Sequence, residues 1–292
     1  MDTRFGGYSS YAPELLQHCF ALFCWVTTHG EKSHLIELET SGEQAIRQRT
    51  LAVIPARLGS TRLPRKVLRE IAGEPMLAWV YRAARACPLL DQVLIATDSD
   101  AVLDYAQQHG LPAVFTPEDC ASGTDRVHAV AQSIPADIYV NIQGDEPMLR
   151  PEHIEALLAP FTHAEVEVAT LSTPCAPDQI DNPHAVKVVT AANGRALYFS
   201  RATIPHDRDQ QGNVRYFKHL GIYAYRRAAL EKFPKLPPSA LEAAEKLEQL
   251  RFLENGIDIY VTETPYDTIG VDTEEDLQRV ERILSEAKMA SS

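Results

Sequence analysis

From Leu51 onward, short apolar runs alternate along the chain with segments whose apolar residues recur at helical spacing. The run LAVIPA (51–56) is apolar throughout, as expected for a strand buried on both faces, and QVLIAT (92–97) is a second strand candidate. Residues 75–86 between them begin with Pro and have the helical pattern. Because repeated strand–helix–strand units join parallel strands, the pattern predicts an α/β fold, with a doubly wound, mostly parallel sheet flanked by helices.

The alternation weakens in one stretch and is absent from the N-terminus. After about Val166 it gives way to short strand candidates, and we predict a small β-rich insertion over about residues 170–230. Residues 1–46 contain one short apolar run, CFALFCWV, and no alternation of strand and helix. We therefore predict a poorly ordered N-terminal extension over 1–46 and one α/β domain over 47–292.

The α/β pattern returns in the last quarter of the chain. We predict a long helix from Ser239 to about Glu254, a strand at DIYVTET and a final helix capped by Thr273. The long helix would have an apolar stripe that consists of Leu241, Ala244, Leu247, Leu250 and Leu253.

The composition argues against nucleic acid and membranes as partners. The 292 residues include 40 acidic and 28 basic ones, a net charge of −12, which argues against broad binding to nucleic acid or to an anionic membrane. The run CFALFCWV is too short to span a bilayer, which needs about 20 apolar residues. Five cysteines without a Cys-x-x-Cys pair suit reduced thiols. We expect a cytoplasmic protein with no stable membrane association and no nucleic-acid partner.

A basic loop follows the first predicted strand. Arg57, Arg62, Arg65 and Lys66 fall within ten positions, with Gly59–Thr61 among them and no acidic residue. Ligands of open parallel sheets bind at the carboxyl ends of the strands, so these cations lie where a phosphate-rich ligand would bind. The sequence has neither a Walker A motif nor G-x-G-x-x-G. A solvated basic loop is the alternative interpretation.

Acidic residues occur at two other predicted loops. NIQGDEP puts Asp145 and Glu146 after a predicted strand, and Asp272 directly precedes the final helix. Carboxylates at the ligand edge of the sheet could bind a hard divalent cation such as Mg²⁺. A polar turn explains Asp145 equally well, and a favourable charge at a helix N-terminus explains Asp272.

Other polar motifs of the sequence could bind a ligand or could have a structural role only. Ser122, Gly123 and Thr124 of CASGTDR could hydrogen-bond a base or ribose, or could simply cap a helix. The segments YFSRATIPH, KHLGIYAY and EKLEQLRFLENG put polar groups beside apolar ones, which also occurs on solvated faces. His219 could equally be a core histidine.

Eight motifs in order carry a resemblance to a known family. They are VIPARLGSTRLPRK, ATDSD, CASGTDR, VNIQGDEP, YFSRATIP, KHLGIYAYRR, LEQLRFLENG and VDTEEDL. Together they resemble the 3-deoxy-manno-octulosonate cytidylyltransferases over about residues 51–287. The resemblance implies a Rossmann-like, glycosyltransferase-A-like nucleotidyltransferase fold and a homodimer. It also implies Mg²⁺-dependent conversion of CTP and 3-deoxy-D-manno-octulosonate (Kdo) to CMP-Kdo and pyrophosphate, for lipopolysaccharide biosynthesis.

The same resemblance implies roles for individual residues. The residues expected to bind the triphosphate are Arg57, Ser60, Arg62 and Lys66. Those expected near cytosine and ribose are Ala56, Ser122, Gly123 and Thr124, and Gln143 is also expected to contact the nucleotide. The sugar acid would contact Gln143, Arg201, His219, Tyr223, Glu248 and Gln249, with Arg201 meeting its carboxylate. Asp145 and Asp272 would bind Mg²⁺ and, with Arg57 and Lys66, form the catalytic set.

One position departs from the family's pattern, and three alternative functions remain open. Arg65 stands where the family usually has Gly, and a positive φ there would cost on the order of 1 kcal/mol. The alternatives are a cytidylyltransferase for a sialic-acid-like sugar or an 8-amino Kdo analogue, a non-catalytic nucleotide-binding module, and a sugar transferase with a D-x-D motif. DSD (98–100) matches that last motif, but its place favours a strand–helix junction.

Overall fold

The computed structural model describes residues 48–59 and 62–290. The predicted N-terminal extension, with its run CFALFCWV, lies outside these residues, as does Ser60 of the basic loop. Within the described residues, no helix combines the length and the apolar character that crossing a membrane requires.

The described residues form strands and helices in the alternating order that the sequence predicts. The strands are β1 Thr50–Ala56, β2 Glu70–Ile71, β3 Glu74–Pro75, β4 Gln92–Thr97, β5 Ala113–Phe115, β6 Ile138–Asn141, β7 Val168–Pro174, β8 Lys187–Thr190, β9 Ala196–Ser200, β10 Phe217–Arg226 and β11 Ile259–Glu263. The α-helices are α1 Met76–Arg85, α2 Asp100–Gln108, α3 Gly123–Ala131, α4 Pro151–Leu158, α5 Arg227–Lys232, α6 Ala240–Glu245, α7 Leu250–Glu254 and α8 Glu274–Ala290.

The central sheet has the strand order β11-β7-β10-β6-β1-β4-β5. The pairs β1–β4, β1–β6, β4–β5 and β7–β11 are parallel, whereas β10 runs antiparallel to both β6 and β7. The prediction of a mostly parallel sheet is therefore confirmed, with β10 reversed between β6 and β7. The segment predicted as an insertion contributes β10 and most of β7 to this sheet, and its hairpin β8–β9 pairs beside β10.

Helices cover both faces of the sheet, and the alternation along β1 shows how the core is divided. Ala52 and Ile54 belong to a buried cluster with residues of α1 and α4. Leu51 and Val53 point to the opposite face and pack in a second cluster with residues of α3 and α5. Successive side chains of a strand alternate between faces, so a strand that is apolar throughout must be buried on both.

The predicted helix from Ser239 to Glu254 is two helices, and the prediction of one continuous helix is wrong. Ser239 caps α6 as expected, since its side chain accepts a hydrogen bond from the Glu242 backbone N–H. Lys246 then adopts a left-handed conformation with φ of 55°, which ends α6. The apolar stripe fails at its start because Leu241 is exposed. The break instead buries Leu247 in the core and creates a turn before α7.

Candidate active site

The basic loop and the loop after β6 leave the sheet side by side, because β1 and β6 are parallel neighbours. Gly144 lies where these two segments touch. A Cβ atom on Gly144 would come within 2.8 Å of the Pro55 carbonyl oxygen, so the close approach of the two chains requires glycine at this position. The carboxyl ends of both strands thus contribute to one site, as expected for an open parallel sheet.

Lys66 contacts both acidic residues that the sequence singles out. Its Nζ donates to Oδ2 of Asp145 at 2.5 Å and to Oδ1 of Asp272 at 2.9 Å. Arg62 adds a second ion pair to Asp272, from Nη2 to Oδ2 at 3.0 Å. The tertiary structure therefore brings the basic loop and two distant carboxylates into one charged cluster.

Backbone contacts fix the positions of the two carboxylates. The Val271 N–H donates to the carbonyl oxygen of Asp145 at 2.9 Å, which joins the loop before α8 to the loop after β6. The Asp272 N–H donates to Oδ2 of Asp276 at 3.1 Å. Thr273 and Asp276 also exchange side-chain to backbone hydrogen bonds, so Thr273 caps α8 as predicted.

The ionisation of the cluster follows from its charges. Burial by itself lowers the pKa of Lys66, but attraction to Asp145 and Asp272 outweighs burial, and the pKa is raised. Burial raises the pKa of Asp272, but hydrogen bonding and attraction to Lys66 and Arg62 outweigh it, and the pKa is lowered. Lys66 and Asp272 are thus both charged at neutral pH, as an ion-binding site requires.

Glu146 has surroundings different from those of its neighbour Asp145. Burial and the negative charge of Asp145 raise the pKa of its carboxyl group to about 7, and a hydrogen bond from Thr268 opposes them. Its Oε2 is buried and has no hydrogen-bond partner among the described residues. A Cβ atom on Gly270 would come 3.2 Å from Oε1, so this carboxyl group packs against the loop that leads to Asp272.

A cavity of about 90 Å³ contains most of the residues expected to bind sugar and ribose. It lies among the start of α3, the end of β6, β10 and the turn between α6 and α7. Its lining consists of Gly123, Thr124, Asn141, Gln143, Tyr223, Tyr225, Glu248, Gln249 and Phe252. The break in the predicted helix thus brings Glu248 and Gln249 to the cavity together.

Glu248 is the centre of the polar network in this cavity. Burial raises the pKa of its carboxyl group, and hydrogen bonds from the Thr124 and Ser122 side chains oppose that shift. Thr124 Oγ1 also lies 3.2 Å from the Tyr225 hydroxyl. Gln249 is buried, and its Nε2 has no partner among the described residues. An accepting carboxylate and a free amide donor together suit a ligand that carries hydroxyl groups.

Ser122 caps α3 and also contributes to the network. Its Oγ accepts from the Asp125 backbone N–H at 3.1 Å, and Asp125 Oδ2 accepts from the Ser122 N–H at 3.0 Å. The helix-cap interpretation of CASGTDR is therefore correct, and contact of Ser122 with a base or ribose remains a prediction. Gly123 packs against the next motif, since a Cβ there would come 2.9 Å from Gln143 Nε2.

Asn141, Tyr225 and Phe252 line the cavity although the sequence analysis did not single them out. Tyr225 is two residues after Tyr223 on β10 and so shares its face of the strand. Asn141 is a polar residue in an otherwise apolar strand, and this exception could have marked it in the sequence as a possible site residue. Phe252 belongs to α7, and nothing in the sequence distinguishes it from the core residues around it.

Comparison with known proteins identifies the family. The family model for cytidylyltransferases matches residues 51–259. The 3-deoxy-manno-octulosonate cytidylyltransferase of Acidobacterium capsulatum is 73% identical over 238 residues, which are 82% of this chain and 97% of that protein. The enzyme of the same name from Koribacter versatilis is 60% identical over 81% of this chain and 90% of that protein. This chain belongs to the 3-deoxy-manno-octulosonate cytidylyltransferase family.

A solved structure supports the same family and its fold. It is CMP:2-keto-3-deoxy-manno-octonic acid synthetase complexed with CTP, with a TM-score of 0.79, 43% identity and coverage of 82% of this chain and 99% of that chain. A cytidylyltransferase from Leptospira borgpetersenii is 15% identical with a TM-score of 0.55, which indicates a shared fold only. The predicted Rossmann-like nucleotidyltransferase fold is therefore confirmed.

The structure does not bring Arg201 into the cavity of this cytidylyltransferase. Its guanidinium donates to backbone carbonyl oxygens, among them those of Glu245 at 2.8 Å and Pro183 at 3.0 Å. Its own N–H donates to the Glu245 carboxylate at 2.9 Å. Arg201 thus fastens the end of β9 to α6, and its predicted contact with the sugar carboxylate remains a prediction.

His219 lies half-buried beside the cavity and is neutral at neutral pH. Burial lowers its pKa to about 3, and the positive charge of Lys218 acts in the same direction. Its Nε2 is 3.0 Å from the Thr170 hydroxyl, and its ring lies 5.4 Å from that of Tyr223. His219 therefore contacts the cavity wall through Tyr223, and its expected contact with the sugar remains a prediction.

Arg57 and Arg65 are the other two cations of the basic loop that contributes Lys66 and Arg62 to the charged cluster. Arg57 follows the buried Ala56, and its Nη2 donates to the carbonyl oxygen of Ala121 at 3.1 Å, next to the start of α3. Arg65 is exposed and has φ of 56° and ψ of 31°, which is the left-handed conformation considered for this position. Strain of this kind is characteristic of functional loops.

The DSD sequence has a structural role. Asp98 follows β4, and its Oδ2 accepts from Nη2 of the fully buried Arg126 at 2.6 Å. Asp100 begins α2. The sequence therefore forms the strand–helix junction that we predicted, and it does not support a D-x-D sugar transferase.

Proposed function

We propose that the charged cluster and the adjacent cavity form one active site, which transfers a cytidylyl group from CTP to Kdo and releases pyrophosphate. The observation that carries the proposal is the contact of Lys66 with both Asp145 and Asp272, beside a polar cavity. The related enzymes are named for cytidylyl transfer to 3-deoxy-manno-octulosonate, and the related structure holds CTP. The product would supply lipopolysaccharide biosynthesis.

The basic loop would bind the triphosphate and stabilise the leaving group. Arg57 and Arg62 offer forked donors to phosphate oxygens, and Lys66 offers a point charge. The anomeric hydroxyl of Kdo would release its proton to solvent as its oxygen attacks the α-phosphorus of CTP, and the bond from that phosphorus to the bridging oxygen would break. The electron pair leaves with pyrophosphate, whose added charge the cations neutralise. Positioning and charge neutralisation dominate reactions of this kind, so no covalent intermediate with the enzyme is needed.

Asp145 and Asp272 would hold Mg²⁺. The donor set fits, because both residues provide carboxylate oxygens and both reach one cationic nitrogen in the structure. When bound, the metal would neutralise charge on the phosphate that undergoes attack. The raised pKa of Lys66 keeps its ammonium charged beside these carboxylates at neutral pH.

The cavity would orient the sugar acid. Glu248 and Gln249 present an acceptor and a free donor to hydroxyl groups, while Gln143 and Tyr223 line the same space. Ser122, Gly123 and Thr124 lie between this cavity and the basic loop, which suits contact with ribose or cytosine.

Two properties of the whole protein belong to the proposal. We infer that it acts in the cytoplasm, on the pattern of its cysteines and its net charge of −12, and as a homodimer, on its resemblance to the family. Fractionation of the native host and light scattering coupled to size exclusion would test these statements. A monomeric mass in solution would contradict the dimer.

Pyrophosphate release is the direct test of the reaction. The full chain, CTP, Mg²⁺ and Kdo should release pyrophosphate, whereas omission of any one should abolish release. ATP, GTP and UTP serve as nucleotide controls, and an 8-amino Kdo analogue and a sialic acid serve as sugar controls. Preference for another sugar acid would reassign the substrate. Tight CTP binding in calorimetry without turnover of any sugar acid would contradict catalysis.

A further inference from the structure

The site carboxylates already have cationic partners within the chain. Asp145 and Asp272 contribute two negative charges, and Lys66 bridges them at 2.5 and 2.9 Å. Arg62 supplies a second positive charge to Asp272 at 3.0 Å, although this pair is well exposed and therefore weak. Lys66 is mostly buried, with 14% of its side chain exposed, so solvent screens its attraction to the carboxylates less.

A divalent cation that uses Asp145 and Asp272 must compete with Lys66 for the same oxygens. It must separate the ammonium from two short contacts, and it must then remain close to that ammonium. Repulsion between cations a few ångströms apart is large where water is partly excluded. A metal ion without nucleotide therefore gains little binding free energy at Asp145 and Asp272.

A triphosphate changes this balance, because its oxygens are alternative partners for Lys66 and Arg62. Once the cations of the loop pair with phosphate, the two carboxylates lose their internal counterions. A metal ion that arrives with the nucleotide then meets two free carboxylates and further phosphate oxygens.

We propose that Lys66 excludes free divalent cations from the carboxylate pair, so that the site takes metal and nucleotide together as one complex. The inference rests on the proposed function, since it assumes that the pair binds metal beside a triphosphate. Linkage requires the effect to be mutual: nucleotide raises metal affinity by the factor by which metal raises nucleotide affinity.

The test is titration of Mn²⁺ into the full chain without nucleotide, with bound metal measured by electron paramagnetic resonance. Lys66→Met removes the charge and keeps an apolar stem of similar length. We expect the variant to bind one Mn²⁺ at least about tenfold more tightly than the wild type. Lys232→Met is the control, because Lys232 pairs with Glu167 at 3.0 Å and its loss should leave Mn²⁺ affinity unchanged.

A double variant shows where the metal binds. Adding Asp145→Asn to Lys66→Met should abolish the gain in Mn²⁺ affinity. Equal affinity of the wild type and Lys66→Met would overturn the proposal, and so would a gain that survives in the double variant. Circular dichroism melting checks that each variant is folded.

A second measurement uses the wild type alone and so does not depend on any variant folding. Mn²⁺ alone should not raise the melting temperature, whereas Mn²⁺ with a CTP analogue that has a methylene α,β-bridge should raise it beyond the analogue alone. A rise with Mn²⁺ alone equal to that with both would contradict exclusion by Lys66. These readouts need no turnover, so failure of the pyrophosphate assay with exclusion intact would reject only the proposed reaction.

Discussion

The backbone N–H of Val271 donates a hydrogen bond of 2.9 Å to the carbonyl oxygen of Asp145. This contact places Asp272 across from Asp145, so that one lysine reaches both carboxylates. Main-chain hydrogen bonds do not depend on the identity of the side chains they position. Conservative substitutions of the two aspartates should therefore change the chemistry of the site while the loops keep their places.

Asp145→Asn should leave the fold intact and remove most of the activity. The amide keeps the shape of the side chain but loses the charge that pairs with Lys66 and that would bind metal in the proposed reaction, so we expect pyrophosphate release to fall at least about 100-fold. Asp258→Asn is the control, because Asp258 precedes β11, at the edge of the sheet opposite the site, and forms an exposed ion pair with Arg195. Wild-type turnover by Asp145→Asn with Mg²⁺ would remove the metal assignment.

Gly123→Ala should weaken the sugar site without unfolding the protein. The new Cβ would lie 2.9 Å from Nε2 of Gln143, which can move only by leaving Asn141, its hydrogen-bond partner at 3.1 Å. We expect the KM for Kdo to rise about tenfold, because misplaced orienting groups weaken productive binding. Gly110→Ala is the control, since a Cβ there meets nothing within 4 Å and strain at its φ of 65° should lower stability without changing the KM for Kdo. An unchanged KM would show that the Gln143 amide does not orient the sugar.

His219 should make the protein sensitive to acid. Its folded-state pKa of about 3 lies below the ordinary 6.5, so the unfolded chain binds the extra proton first. The stabilisation from the neutral ring is therefore complete above about pH 6.5 and is lost as pH falls toward 3, by up to about 1.4 kcal/mol per pH unit.

Chemical denaturation between pH 4 and 8 checks this expectation through the difference between wild type and His219→Gln. The free energy of unfolding of the wild type should fall more steeply below pH 6.5 than that of the variant. His163→Gln, at an exposed position, should follow the wild type. Parallel curves for wild type and His219→Gln would show that the ring is not held neutral.

Arg65→Gly should show the effect of backbone strain in the stability of the protein and the effect of the lost charge in its affinity for CTP. Glycine relieves the left-handed conformation, worth on the order of 1 kcal/mol, but also adds freedom to the unfolded chain, so stability should change by less than about 1 kcal/mol. Loss of the cation should weaken CTP binding several-fold in calorimetry, more at low ionic strength than at high. Gln210→Gly is the control for conformation, since Gln210 has φ of 50° and no charge. Unchanged CTP affinity in Arg65→Gly would exclude a phosphate contact.

Much of the fold was predictable because its signals are local. The apolar run of β1 requires burial on both faces, and the helical spacing before β4 requires a crossover, so a parallel sheet follows. The carboxyl ends of parallel strands share an edge, and this placed the basic loop and Asp145 at one site before any contact was known. The continuous helix over 239–254 failed because its pattern does not reveal that Lys246 adopts a left-handed conformation.

The sequence by itself therefore determined the parallel sheet, the cationic loop at the tip of β1 and the carboxylate after β6, since each follows from residues that are near one another in the chain. Only the tertiary structure decided that Asp272 meets Lys66, that Glu248 faces the Thr124 hydroxyl, and that Arg201 binds backbone carbonyls. Those contacts join segments far apart in sequence. Their geometry depends on how the whole core packs, which no local pattern encodes.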